Sequence, residues 1–171
     1  MTDFMPQLYQ QMVAEHMAKG AAQGWGYFPP LSIYAQIVEE MGELARILNR
    51  LYGKQKPKTD EVQRDLEEEF AGVLFALVCQ ANAADYKLSA VELPARCYVE
   101  SPLILLARLV ASVAELGNLL ITDPSQWQRP QDYLPIWTVT TINQALAMLK
   151  CMARHEHIDL QKSLADYSTS Q

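Results

Sequence analysis

The apolar residues of this chain recur three and four positions apart in long stretches, the spacing of one face of a helix. Clusters of proline and glycine separate the stretches. Gly24, Gly26, Pro29 and Pro30 form one break and Gly53 with Pro57 another, and Pro94, Pro102, Pro124, Pro130 and Pro135 mark the rest. Between the breaks the composition favours helix formers and has few β-branched runs. The pattern predicts helices at about residues 2–21, 31–52, 60–85, 101–121 and 136–156, with short ones near 87–96 and 159–167. Asp60 or Thr59 suits the cap of the third. Ser101 followed by Pro102 at the first helical position suits the start of the next.

The chain also resembles itself. A shift of 72 residues aligns Pro30-Leu31 with Pro102-Leu103, Ala35 with Ala107, Val38 with Val110, Glu43-Leu44 with Glu115-Leu116, and Leu48 with Leu120. Without a gap it continues through Leu74 and Leu146, Cys79 and Cys151, Ala81 and Ala153, to Leu88 and Leu160. A shared helical period yields some of these pairs unaided, but it does not align the prolines or keep one offset across two helices. The expectation is an all-α single domain over residues 1–171. Its core is a four-helix bundle made from a tandem duplicated helix-loop-helix unit, at about 30–91 and 102–163, with an N-terminal helix laid against it.

Some acidic residues break the pattern. With each residue turning the helix by about 100°, Ile33, Ile37, Met41, Leu44, Ile47, Leu48 and Leu51 define the apolar sector of the second helix. Glu40 falls inside it, Glu43 at its edge and Glu39 further out. On the third helix Val62, Leu66, Phe70, Val73, Ala76 and Leu77 define the sector, and Glu69 falls inside it while Glu67 and Glu68 point elsewhere. Carboxylates facing a core need a partner, and no Lys or Arg lies in either sector. Glutamates converging from two helices suit a hard cation with oxygen ligands, such as magnesium. A solvated helix face also yields E-E-x-x-E, but not with Glu40 and Glu69 on the inward side. At the shifted positions Glu39, Glu40 and Glu69 become Ala111, Ser112 and Thr141, while Glu43 stays acidic as Glu115. The second copy thus keeps the hydrophobic frame and loses most of the acids.

Composition narrows the function classes. Half of the residues are hydrophobic, which argues against disorder. A formal net charge of −6 argues against a nucleic-acid partner held through phosphates. It leaves room for a nucleotide bound through a cation. Three cysteines, Cys79, Cys97 and Cys151, without metal-type spacing, suggest reduced core thiols. No basic-then-apolar leader opens the chain and no uninterrupted apolar run is long enough to span a bilayer. The expectation is a soluble cytoplasmic protein without a membrane partner. His16, His155 and His157 are too scattered to pair with Cys97, and P-loop and G-x-S-x-G strings are absent.

The segment Val38-Glu39-Glu40-Met41-Gly42-Glu43-Leu44 resembles the E-E-x-x-E signature of the all-α nucleoside triphosphate pyrophosphohydrolases, the superfamily of the MazG-type enzymes and dimeric dUTPases. The second part of that signature, E-x-x-D, falls on Glu69-Phe70-Ala71-Gly72. The run from Val73 to Ala81-Asn82 and Leu88 is similar to the family's sequence after that motif. The resemblance is best over about residues 31–91. It implies hydrolysis of a (d)NTP to a (d)NMP and pyrophosphate with Mg2+, or Mn2+ in its place, in nucleotide-pool clean-up. It also implies a homo-oligomer, a dimer first. The catalytic residues would be Glu39, Glu40, Glu43 and Glu69, with Glu40, Glu43 and Glu69 as metal ligands and Glu39 as a ligand or the group that activates water. Lys54, Lys56 and Lys58 would meet the phosphates or simply form an exposed basic turn, Trp25, Tyr27 and Phe28 would stack on the base or serve as hydrophobic cover, and Asn82 joins the substrate-binding candidates.

One departure matters. The aspartate of E-x-x-D is Gly72 here, and glycine supplies no ligand. Asp65 lies seven residues earlier on nearly the same face and is the candidate substitute. Gly72 also costs about 1 kcal/mol against alanine in a helix interior. Three readings are open: an active pyrophosphohydrolase, a weakened nucleotide-binding or regulatory protein, and a helical interaction module with its acids paired across an interface.

Overall fold

A computed structural model of the chain describes residues 6–24, 26–53, 62–90, 93–94, 97, 99–122 and 136–170, with the side chains of 62–65, 136–137 and 170 left aside. Its elements are α1 (Pro6–Ala21), α2 (Pro30–Tyr52), α3 (Val62–Ala83), α4 (Pro102–Thr122), α5 (Ile136–His155) and α6 (Leu160–Ser170). The described residues contain no strand. Helices α2 and α3 form one hairpin and α4 and α5 the other, and α2 packs on α4 and α3 on α5 to close the bundle. Helices α1 and α6 both lie against α3 and touch each other.

The centre of this arrangement is α3. Every residue from Glu69 to Ala81 is buried, on all sides of the helix. A helix that is apolar all round needs neighbours all round, and α1, α2, α5 and α6 supply them. The other helices bury one stripe each. On α2 it is Ile33, Ile37, Met41, Leu44, Ile47 and Leu48, while Leu51 is 41 % exposed. Helix α4 is long and apolar enough to cross a membrane by length and composition alone, yet here it presents Leu105, Leu109, Val113, Leu116 and Leu120 to the core. A Cβ at Gly117 would strike the ring of Tyr34, so glycine there lets α4 and α2 approach.

The 72-residue offset reappears in the backbone. Pro30 and Pro102 each open a helix, where the missing N–H of proline has no bond to lose. Ala83 and His155 each close one. Both closures end in a left-handed residue, Asp85 at φ 54° and His157 at φ 59°. In each, an amide reaches back to a helix carbonyl at 2.8 Å, Tyr86 to Ala81 and Ile158 to Ala153. These turns stop α3 two residues before the expected end at 85. Beyond them the two halves differ. Asp159 caps α6 by accepting from the amides of Gln161 and Lys162, at 3.0 and 3.2 Å, whereas 86–90 and 93–94 are not helical. The short helix expected at 87–96 is thus absent from the described residues there. Leu88 is buried in this non-helical segment, and its amide donates to Gln10 Oε1 at 2.9 Å.

Cys97 and Cys151 are brought side by side, with Cα atoms 5.1 Å apart, at a spacing that a disulfide between the segment before α4 and α5 could use. Cys79 is a free buried thiol.

Helix α1 buries Tyr9, Val13 and Met17 in the core and is tied to the end of α3 by Gln10. Gln10 donates through Nε2 to Asn82 Oδ1 at 2.8 Å and to the carbonyl of Tyr86, and accepts from Leu88. Replacement Gln10→Ala strands all three partners in a partly buried place. The expected loss of stability is about 1–3 kcal/mol, read as a lower urea midpoint at unchanged slope.

Candidate functional site

The α2–α3 interface brings the inward glutamates together. Glu69 is buried, at 8 % exposure, Glu40 is half-buried, and Glu43 and Glu39 are exposed on the edge of α2. The Glu69 carboxyl is pushed well above its ordinary 4.5, to about 8, first by burial and then by the charge of Glu43, a hydrogen bond with Glu43 and the charge of Glu40. Glu40 is also raised, first by burial, and further by Glu43, Glu39 and Glu68, with a hydrogen bond from Tyr167 opposing. Glu40, Glu43 and Glu69 are thus close enough to repel one another.

Two details differ from the wheel. Arg46, on the exposed side of α2, reaches over so that its guanidinium lies 3.9 Å from Glu69 Oε1, at the outer limit of an ion pair. A long side chain need not root in an apolar sector to serve it. Glu68 is exposed but raises Glu40 and Tyr167 through its charge, so it does not point wholly elsewhere. Among the described residues no three acidic, histidine or cysteine side chains stand closed around one metal position. Arg46 lowers the Glu69 carboxyl somewhat, against the larger effects of burial and of Glu43 and Glu40. The donor chemistry nonetheless fits a hard divalent cation, whose binding would relieve the repulsion that raises Glu40 and Glu69.

Gly72 has a definite place. A Cβ there would collide with Glu40 Oε2, so the bare backbone of α3 is the seat of the Glu40 carboxylate. The other oxygen, Oε1, accepts from the Tyr167 hydroxyl at 3.2 Å. Tyr167 comes from α6 and is buried with Leu160, Ser163 and Leu164 along one stripe of that helix. That spacing of three and four was the signal in the sequence, although a hydroxyl at its end gave no sign of its partner.

A cavity of about 250 Å³ adjoins this cluster, near the small end of ligand pockets. Its walls include His16 from α1, Tyr27 and Phe28 from the loop, Gln36 from α2, Phe75 from α3 and Tyr167. Phe75 stacks edge-on against His16 at 5.4 Å and tilted against Tyr167 at 5.5 Å. Tyr27 and Phe28, the stacking candidates, are among the cavity walls. Asn82 does not line the cavity: its amide nitrogen donates to the Gln10 carbonyl at 3.0 Å and to the Tyr27 hydroxyl at 3.1 Å, which uses both protons to hold that wall. Trp25, Lys54, Lys56 and Lys58 lie outside the described residues, as does the side chain of Asp65.

Residues 28–92 match the MazG nucleotide pyrophosphohydrolase domain. A Bacillus subtilis (strain 168) protein called "Uncharacterized protein YpjD" is 49 % identical over 63 residues, 37 % of this chain and 57 % of that protein. The match therefore spans little more than half the length of that relative. No solved structure matches the chain.

The raised Glu69 has a sign that can be measured. Between about pH 4.5 and 8 the unfolded chain has released this proton and the folded chain has kept it. Stability from this group is therefore lost as pH rises through that window, and the effect is absent below it. Thermal unfolding should find Glu69→Gln gaining on the natural chain from about pH 5 to 8. Added Mg2+ should stabilise the natural chain more at the upper pH, because ligands bind ionised. Equal pH slopes in both chains would contradict the assignment.

Proposed function

We propose that the MazG nucleotide pyrophosphohydrolase domain at residues 28–92 hydrolyses a nucleoside triphosphate to the monophosphate and pyrophosphate, with Mg2+ or Mn2+, in nucleotide-pool clean-up. The observation that carries this reading is the meeting of Glu40 and Glu69 across the α2–α3 interface, each raised by burial and by neighbouring carboxylates. Glu40, Glu43 and Glu69 would hold the cation, and exposed Glu39 would orient water beside them. When bound, the cation would neutralise charge developing on the phosphates and make its water a better nucleophile. The chain's own contributions are to keep Glu40 seated, to bring Glu69 out of solvent, and to offer an aromatic-walled cavity. That cavity suits a nucleobase, with Gln36 and His16 as its polar edges.

The 72-residue offset, repeated in both helix starts and both left-handed ends, supports a duplication in which the second unit completes the bundle. A homodimer is part of the proposal. The exposed apolar residues Leu31 and Val38 on α2, with Ile104 and Val110 on α4, are what a second copy would cover. A catalytically weakened nucleotide-binding or regulatory protein is the second reading. It is favoured by Gly72 in place of a ligand and by the open arrangement of the carboxylates.

The test is pyrophosphate release from a panel of standard and modified nucleoside triphosphates, with Mg2+ or Mn2+, beside Glu40→Gln. Release should need the metal and fall at least about 100-fold in the variant, beyond what loss of an outer partner costs. Metal-dependent nucleotide binding without release would overturn hydrolysis in favour of the second reading.

A further inference from the structure

We propose that Tyr167, from a helix outside the MazG match, is a positioning residue that orients Glu40. This rests on the reading of Glu40 as a cation ligand. The Tyr167 hydroxyl donates to Glu40 Oε1 at 3.2 Å, while Oε2 lies over Gly72, where any side chain would displace it. A hydrogen bond to one oxygen restricts the orientation of the carboxylate, and an outer donor that orients a ligand is a recurring part of metal sites. A carboxylate has acceptor capacity for both a donor and a cation. Glycine at 72 and tyrosine at 167 therefore act on one group from two sides.

The same residue faces two ways. Its hydroxyl meets Glu40, while its ring lines the cavity and leans on Phe75 at 5.5 Å. Helix α6 reaches this place because the Asp159 cap starts it there and because Leu160 and Leu164 anchor its inner stripe. In the sequence, the residue 72 positions earlier is Ala95.

The experiment compares the full natural chain with Tyr167→Phe, which keeps the ring and removes the hydroxyl. Mn2+ affinity is followed by the paramagnetic resonance of the free ion without nucleotide, and kcat and KM by pyrophosphate release. The variant should bind Mn2+ about 10–100-fold more weakly and lose kcat in similar measure. KM should hold within about twofold, because the cavity wall is intact, and Tyr167→Ala should raise KM as well. If the natural chain binds Mn2+ but releases no pyrophosphate, and Tyr167→Phe still weakens Mn2+, hydrolysis fails while the positioning role stands. Unchanged Mn2+ affinity and kcat in Tyr167→Phe would overturn the positioning role alone.

Discussion

Everything in this fold depends on a helix that has no outward face over most of its length. From Glu69 to Ala81, α3 is buried on every side, so other helices must surround it, and four do. The place where that burial begins is Glu69. A carboxyl there loses hydration without leaving the reach of Glu40 and Glu43 across the interface, and both effects oppose its ionisation. The chemistry of the site arises from the packing of the core. It is the first buried turn of a central helix, facing the acidic turn of its hairpin partner.

The surround is built asymmetrically. Two hairpins open with prolines and close with left-handed turns at one offset, which suffices for a bundle of four. The additions break the symmetry. Helix α1 is fastened through Gln10 to the end of α3, and α6 folds back from the second hairpin over the acids of the first. With the loop before α2 they make the walls of a cavity that the hairpins alone would leave open. Gly72 belongs to the same design. At the cost of helix propensity it gives the Glu40 carboxylate a backbone to lie on.

Much of this was legible in the residues, for identifiable reasons. The helices and the inward positions of Glu40 and Glu69 come from period alone, because each wheel fixes which side chains share a face. What period cannot express is reach. Arg46 serves Glu69 from outside its sector, and Glu68 acts on Glu40 through space. Contacts distant in sequence, Tyr167 on Glu40 and Cys97 on Cys151, depend on how the last helices fold back. The segment after Asp85 misled because its apolar residues mimic a helix while its amides serve a partner, as that of Leu88 serves Gln10. Gly72 shows the limit of motif reasoning most plainly. As a letter it is a missing ligand, and as a place it is the room that Glu40 occupies.

Whether the carboxylates facing one another across the α2–α3 interface take a divalent cation can be read from the Glu69 carboxyl carbon by NMR across pH, without and with Mg2+. Titration far above the ordinary 4.5 is expected without metal, and an ionised Glu69 at neutral pH once Mg2+ is added. A Glu69 that titrates near 4.5 and ignores Mg2+ would rule this out.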